Sequence, residues 1–487
     1  MHNLSLAELS RQLKQKKISS VELTQLFLDR IHRFNPKINA FISVNDEFAL
    51  TQAKKVDETR LHTPEKLHFL SGIPIAHKDN LLTKGIKTTC SSKALVNFTP
   101  PYDATIVDNF KNAGMVMLGK VNLDEFAMGG SNENSYFGPC FNPWDTNRVP
   151  GGSSGGSAAL LAARLSPAAT GSDTGGSIRQ PAAFCGITGI KPSYGVVSRY
   201  GMIAFASSLD QGGPMSKSAE DCAHLLSAMA SFDPKHDMTS VQQPCYDYTK
   251  DLDKSLKSLR VGLPKEYFSG DLDPEIAQIL QKAIDEYAKL GVTFIEVDLP
   301  DTKHCVPAYY TIAPCEASSN LARFDANLYG YRSSNAADLE KMYAQSRSES
   351  FGREVKRRIL IGTYALSSGY YDDYYIKSQN IRNLIRHDFH EAFKKVDVIF
   401  APTTPSIAFK IGQLTSDPVQ MYLQDAFTIP VNLAELPSIA LPVGMLQGMP
   451  VGMQIIGPRF TESRLLNAAH QYQKRTDWHL QCPNDFT

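Results

Sequence analysis

Residues 151–186 read GGSSGGSAALLAARLSPAATGSDTGGSIRQPAAFCG. Two glycine-flanked serine clusters, Gly151-Gly152-Ser153-Ser154-Gly155-Gly156-Ser157 and Gly171-Ser172-Asp173-Thr174-Gly175-Gly176-Ser177, bracket a short apolar run. Ser153 and Ser177 stand 24 positions apart. That interval holds a helix from about Ser157 to Leu165 and then a strand, so both clusters return to one edge of a sheet. Glycine at this density gives close backbone approach and positive φ, at an entropic cost that fold-building sequence usually avoids.

The flanks are periodic where this stretch is not. Ser5-Leu6-Ala7-Glu8 and Ser19-Ser20-Val21-Glu22 fit the capping box, with serine accepting from the third helical amide and glutamate reaching back. Leu6, Leu9 and Leu13 make one stripe; Leu23, Leu26, Phe27 and Ile31 make a second. Met115-Val116-Met117-Leu118, ending at Gly119, predicts a buried strand. Asp273 and Pro274 open a helix whose stripe runs from Ile276 to Leu290, and Gly291 closes it. Val292–Val297 and Val396–Ala401 predict two more strands, the second stopped by Pro402. Helices alternating with short apolar strands predict an α/β protein whose mostly parallel sheet is covered on both faces. Residues 235–257 are polar and contain proline, as a linker-like excursion would.

The chain has 487 residues, of which 42% are hydrophobic, enough for a large core. Fifty basic residues balance fifty acidic ones, which argues against non-specific binding of nucleic acid through phosphate neutralisation. No run of 18 apolar residues occurs, and the N-terminus is charged and amphipathic, so the expectation is a cytoplasmic protein without a membrane span. The cysteines (Cys90, Cys140, Cys185, Cys222, Cys245, Cys305, Cys315, Cys482) form no CxxC pair and no zinc-spaced cluster, which predicts free thiols and no metal site.

Several familiar motifs fail. Gly114 to Val121 approaches a P-loop, but Val121 stands where a magnesium-binding hydroxyl is required. No two glycines are spaced as GxG, and HExxH does not occur. His387 and His390 lie three apart on a predicted helix with no third ligand, and are expected to face solvent.

Chemistry therefore rests on the serine clusters. A serine hydroxyl needs a base, and the developing oxyanion needs preorganised donors. Thr174-Gly175-Gly176-Ser177 offers consecutive, unobstructed amides for an oxyanion, with Asp173 placed to brace the loop. None of the 12 histidines sits in a stretch built to act as base. Lys78 does, at the end of the apolar segment Gly72-Ile73-Pro74-Ile75-Ala76-His77-Lys78. Burial favours the neutral amine, which would take a proton from Ser153 while Ser153 takes one from Ser177. His77 is the alternative base, but strand alternation points it to the other face. On residues alone, a phosphate-binding loop and a plain glycine-rich loop remain open beside catalysis.

At these residues the sequence resembles the amidase signature family. GIPIAHKDN (72–80) matches the family's lysine at Lys78, GGSSGGSAA (151–159) its bridging serine at Ser153, and GSDTGGSIRQPAAFCG (171–186) its nucleophile at Ser177. The resemblance implies attack on an amide carbonyl, release of an amine or ammonia, and an acyl-enzyme. It also implies one α/β domain over 1–487 with a large twisted mixed sheet surrounded by helices. The serine- and glycine-rich core falls at about 70–215 and a helical, substrate-pocket part at about 300–430.

Phe205–Gln211, Glu316–Asp325 and Gly362–Tyr371 look like one branch, the A subunits of bacterial aspartyl/glutamyl-tRNA amidotransferases. That likeness implies a glutaminase that needs no cofactor of its own. Its ammonia would pass to a B subunit, where ATP and Mg2+ activate Glu or Asp on misacylated tRNA, and a small C subunit would tie the heterotrimer together. For glutamine, the same likeness assigns Arg358 to the α-carboxylate and Asp425 to the α-ammonium, with Tyr309 beside them. On sequence alone, Lys356-Arg357-Arg358 reads as a solvated helix face and Asp425 as a surface or capping residue. The sequence departs from the branch at His77, where an apolar residue is common, and at Gly130 and Gly213, where bulkier residues are. A stand-alone amidase for another small or lipid amide, and a non-catalytic anion-binding scaffold, are the competing readings.

Overall fold

The computed structural model describes residues 1–244, 246–268, 272–334 and 336–486; Cys245 lies outside them. The expected glycine-rich unit forms as read. Helix Gly155–Ala162 leads to strand Ala168–Asp173, and both serine clusters meet at its end. All eight residues of that helix are buried. Its small residues are a steric requirement, because a β-carbon at Gly156 would come within 2.4 Å of the Asn122 carbonyl oxygen.

Eleven strands among the described residues make one sheet: β1 (Phe41–Val44), β2 (Pro74–Lys78), β3 (Val116–Val121), β4 (Ala168–Asp173), β5 (Thr188–Lys191), β6 (Gln211–Ser216), β7 (Arg260–Pro264), β8 (Thr293–Val297), β9 (Val398–Pro402), β10 (Ser438–Leu446) and β11 (Met449–Ile456). Their order is β1-β3-β2-β4-β6-β5-β10-β11-β9-β7-β8. The α/β class and the single mixed sheet hold; the expectation of a mostly parallel sheet does not. Parallel pairing is confined to β3-β2-β4 on one side and β9-β7-β8 on the other. Every pair between those runs, and β1 with β3, is antiparallel. The physical reason lies in the last strands. β10 and β11 join through Gln447 (φ 52°) and Gly448 (φ 78°), the two left-handed residues of a type I′ hairpin turn. That hairpin inserts antiparallel strands mid-sheet where helix–strand alternation predicts crossovers.

Both capping boxes form, at Ser5/Glu8 and Ser19/Glu22. Leu6, Leu9, Leu13, Leu23, Phe27 and Ile31 are buried. Asp273 caps helix Pro274–Ala288 by accepting from the Glu275 amide. The polar excursion at 235–257 contains no helix or strand among the described residues, yet Tyr248, Leu252 and Leu256 fasten it to the core. The P-loop-like segment is strand β3, whose Lys120 is buried and donates to Thr88 Oγ1 at 2.9 Å. His387 and His390 are exposed on helix Lys377–Lys395. Among the described residues, no helix is long and apolar enough to cross a membrane, and no cluster of three or more His, Cys, Asp or Glu could hold a metal ion.

Because β2, β3 and β4 run parallel, their carboxyl ends open at one sheet edge, as in other open α/β sheets. β2 ends in Lys78, β3 leads into the loop 122–131, and β4 leads into the Ser177 loop.

The glycine at 213 is required by its neighbours: a β-carbon there would lie 2.2 Å from the Ile190 carbonyl oxygen, across the β5–β6 pair. Gly213→Ala should lower the free energy of unfolding, measured in urea, by roughly the 1–3 kcal/mol typical of overpacking. Gly130→Ala, whose β-carbon would meet nothing closer than Asp425 Oδ2 at 3.7 Å, should leave it within experimental error.

Candidate active site

Lys78 arrives fully buried at the end of β2. Its ammonium donates to Ser153 Oγ at 2.7 Å, Ser154 Oγ at 2.9 Å and Ser172 Oγ at 2.9 Å, with Ser172 O at 3.4 Å. Every contact is a neutral oxygen. Burial pulls the lysine down to about 7, and the more distant Asp124, Asp173 and Asp210 only partly restore it. His77 points away, as strand alternation requires, towards Phe110. Burial and the Lys120 charge hold it neutral, with a pKa lowered to about 3. Of the two candidate bases, only Lys78 faces the serines.

Ser153 sits on a cis Gly152–Ser153 peptide at the mouth of helix Gly155–Ala162. Gln180 fixes that loop: its Oε1 accepts from the Gly152 amide at 3.0 Å, and its Nε2 donates to Gly130 O at 2.8 Å. The Ser177 carbonyl accepts from the Ser154 amide at 3.1 Å, which ties the two serine loops together. Ser177 keeps 8% of its surface exposed while Ser153 and Lys78 keep none. The outermost member of the trio is thus the one placed to meet a substrate.

Asp173 braces the nucleophile loop as the sequence suggested. Its Oδ1 accepts from the Gly176 amide at 2.9 Å and its Oδ2 from the Ile178 amide at 3.2 Å. Burial alone would raise its pKa, but Arg179, paired at 3.0 Å, holds it down at about 2. The brace also divides the expected oxyanion donors. The Gly176 amide is committed to Asp173, whereas those of Gly175 and Ser177 have no partner among the described residues. Thr174 contributes its hydroxyl to Asp210 Oδ1 at 2.6 Å. Thr428 Oγ1 donates to Gly175 O at 2.7 Å, and Gly176 takes φ 141° beside it.

Arg358 does not face solvent. It is 3% exposed on helix Arg353–Ala365, with its guanidinium against the rings of Tyr310, Phe205 and Tyr422 at 5.2 to 5.7 Å. Glu354 takes its Nε at 2.8 Å. Burial would lower the arginine's pKa, but Glu354 and the tyrosines outweigh it and raise it. Neither Nη group has a hydrogen-bond partner among the described residues, so the fork that grips a carboxylate stays available. Asp425 is also buried, which raises its carboxyl to about 7 against the pull of Arg358. Tyr310 links the two: its ring lies under Arg358 and its hydroxyl is 3.4 Å from Asp425 Oδ2. Tyr309, the neighbour singled out in the sequence, lies near enough to feel the Arg358 and Asp425 charges and also packs on the Ser177 loop; a β-carbon at Gly175 would come within 2.7 Å of its ring. Tyr310, Glu354, Tyr422, Ser154, Ser172, Asp124 and Gln180 escaped sequence reasoning. Ser154 and Ser172 stood inside the two glycine-flanked clusters, and Asp124, next to a second acid at Glu125 and just past an apolar strand, also carried a signal that could have flagged it.

A cavity of about 350 Å³ is lined by Gly130, Ser131, Arg358 and Tyr422 among others. Lys78, Ser153 and Ser177 do not line it. The Gly130–Ser131 backbone that forms its wall packs directly on Gly152. The arrangement can activate a serine, stabilise an oxyanion and hold a small molecule carrying opposite charges.

A family model described as Amidase matches residues 22–466. Among similar curated proteins is the A subunit of the Glutamyl-tRNA(Gln) amidotransferase of Marinobacter nauticus, 58% identical over 99% of this chain and 100% of that protein. The protein of the same name from Coxiella burnetii is 59% identical over 99% of each. Among solved structures, its namesake from Thermotoga maritima superposes with a TM-score of 0.79 at 41% identity, over 96% of this chain and 93% of that one. The peptide amidase of Stenotrophomonas maltophilia does so at 0.80 and 30%, over 97% and 96%.

Acylation of Ser177 by a serine-directed fluorophosphonate should accelerate with pH through an inflection near 7, where Lys78 loses its proton. The neutral amine is the active form, so labelling falls below that point. Lys78→Ala should abolish the inflection and slow labelling by roughly the 10²–10⁴-fold typical of a lost general base. A Lys78→Ala protein that labels at the wild-type rate would rule the relay out.

Proposed function

The chain belongs to the amidase family, and from that premise we propose that it is the glutaminase subunit of a tRNA-dependent amidotransferase. One observation carries the choice of glutamine. An arginine with a free guanidinium fork and a buried carboxyl, Arg358 and Asp425, flank a single tyrosine beside the catalytic serines. A free amino acid brings one charge for each, and an aliphatic or aryl amide brings neither. Relatives that carry this subunit's name, 57–59% identical along essentially the whole chain, favour the same reading.

Lys78, neutral, takes a proton from Ser153, which takes one from Ser177 as the Ser177 oxygen attacks the side-chain amide carbon of glutamine. The carbonyl oxygen becomes an anion held by the Gly175 and Ser177 amides. Collapse breaks the carbon–nitrogen bond, and the relayed proton leaves with the nitrogen as ammonia. Water, deprotonated by the same relay, then cleaves the γ-glutamyl ester to glutamate. The ammonia passes to a B subunit, where ATP and Mg2+ activate the glutamyl group, or an aspartyl group, of misacylated tRNA; a C subunit completes the heterotrimer. This chain itself needs no cofactor.

Arg358→Ala should raise KM for glutamine by at least about tenfold, the loss of a charge-assisted hydrogen bond, and leave hydrolysis of propionamide within about twofold. Co-expressed B and C subunits should co-purify with the chain, and charged tRNA with ATP should raise its glutaminase rate. A protein that cleaves propionamide or an anilide better than glutamine, and binds neither partner, is instead a stand-alone amidase.

A further inference from the structure

We propose that Glu125 is a positioning residue for glutamine: it sets the helix that carries Arg358 against the loop beneath Ser153. The inference rests on the glutaminase reading and adds a residue that touches no reacting atom.

The turn after β3 holds two adjacent acids that face opposite ways. The Asp124 amide donates to Ser153 O at 3.3 Å, and the Asp124 carboxyl lies against Gly152, where a β-carbon would come within 1.9 Å of its Oδ2. Asp124 therefore belongs to the serine side. Phe126 then takes φ 52°, a left-handed conformation unusual for an aromatic residue. The turn directs Glu125 outward to a different segment. Glu125 Oε2 accepts from the Gly352 amide at 2.8 Å, and Oε1 accepts from Ser92 Oγ at 2.5 Å. Gly352 is the N-cap of helix Arg353–Ala365 and has no capping side chain of its own. A carboxylate at a helix N-terminus answers both the unsatisfied amide and the helix dipole, so Glu125 serves as the cap from outside the helix.

The fit is close. Glu125 is 3% exposed, and a β-carbon at Gly352 would lie 2.3 Å from its Oε2. Neighbouring residues repeat the contact: Phe126 meets the Phe351 ring edge-on at 5.6 Å. From Gly352 the helix carries Glu354 within its first turn and Arg358 one turn beyond that, into the cavity wall. The loop 122–131 is thus clamped between both ends of a substrate: Asp124 and Gly130 on the serine side, Glu125 on the Arg358 side. A shift of the helix N-terminus would displace the guanidinium while leaving Lys78, Ser153 and Ser177 untouched.

Kinetics on the full chain, purified with its partner subunits, test this. Glu125→Ala should raise KM for glutamine by several-fold to about tenfold, the worth of one net hydrogen bond. Its propionamide hydrolysis should stay within about twofold of wild type, because that substrate has no carboxylate for Arg358. Glu125→Gln keeps a carbonyl acceptor for the Gly352 amide and should recover most of the lost KM. Equal losses on both substrates, or no rescue by Glu125→Gln, would make Glu125 merely structural and overturn the proposal. An unchanged KM in Glu125→Ala would overturn it too. A wild-type enzyme with no preference for glutamine over propionamide would instead remove the glutaminase reading beneath it.

Discussion

The site is organised around a buried ammonium with no carboxylate in contact. Lys78 Nζ is sealed from water, and its partners are three serine hydroxyls and one carbonyl. Neutral oxygens return less than the charge loses on leaving water, so the amine sits near its neutral point at physiological pH. A carboxylate against Nζ would stabilise the ammonium and end its use as a base. The nearest in sequence is Asp79, the very next residue. Alternation at the strand end sends it to the His77 face, where it pairs with Lys120 at 3.4 Å and accepts from the Thr89 amide. The surrounding glycines and serines follow from the same requirement. Anything larger would open the packing, and a carboxylate would fix the proton on Lys78.

Where Lys78 has no counter-ion, the loop that carries Ser177 has a fully matched pair. Arg179 is buried and meets Asp173, Asn432, Gln454 and the Thr428 carbonyl. Such a pair gains little stability over an apolar replacement of the same volume, because both charges lose their hydration. Its product is orientation. Asp173 holds the Gly176 and Ile178 amides, and the Gly175 and Ser177 amides are left without partners among the described residues. Oxyanion donors useful in catalysis must be in place before charge develops, and here the loop's own hydrogen bonds choose which amides those are.

These features differ in how far the sequence reveals them. The caps at Ser5, Ser19 and Asp273 and the apolar stripes behind them are local rules, and the structure follows them. Lys78, Ser153 and Ser177 could be picked out because each is tethered to a short local pattern. The central antiparallel strands could not, because β5, β6 and the β10–β11 hairpin are buried on both faces and lack the alternation that marks a half-solvated strand. Gln447-Gly448 was a readable turn signal within them. Tyr309 and Tyr310 show the limit most sharply. Adjacent on one helix, they point about 100° apart, and which of them reaches Asp425 is settled by the packing of three helices, not by either residue's neighbours. The charge run at 356–358 misleads for the same reason: Arg358 is buried because Tyr310, Tyr422 and Phe205 are brought to it from elsewhere in the chain.

On the proposed reading, the amino-acid end of the site holds its opposite charges before anything binds, with Glu354 shared between Arg357 and Arg358. Arg358 is held by Glu354, and the burial of Asp425 raises its carboxyl towards neutrality. A zwitterion changes this without adding net charge. Its carboxylate meets the free Nη groups, and its ammonium favours ionised Asp425, restoring the opposite charge that burial had suppressed. A cationic amine alone would leave the guanidinium fork unanswered, and an anion alone would leave Asp425 raised. A neutral amide of the same length would desolvate both groups and satisfy neither. Rejection of such a molecule is steep because buried polar groups left unpaired cost more than the matched pair gains. On the glutaminase reading, substrate choice then lies in where two opposite charges are buried, one on each side of Tyr310, while the serines and lysine beyond the Gly130 wall remain indifferent to what the rest of the molecule is.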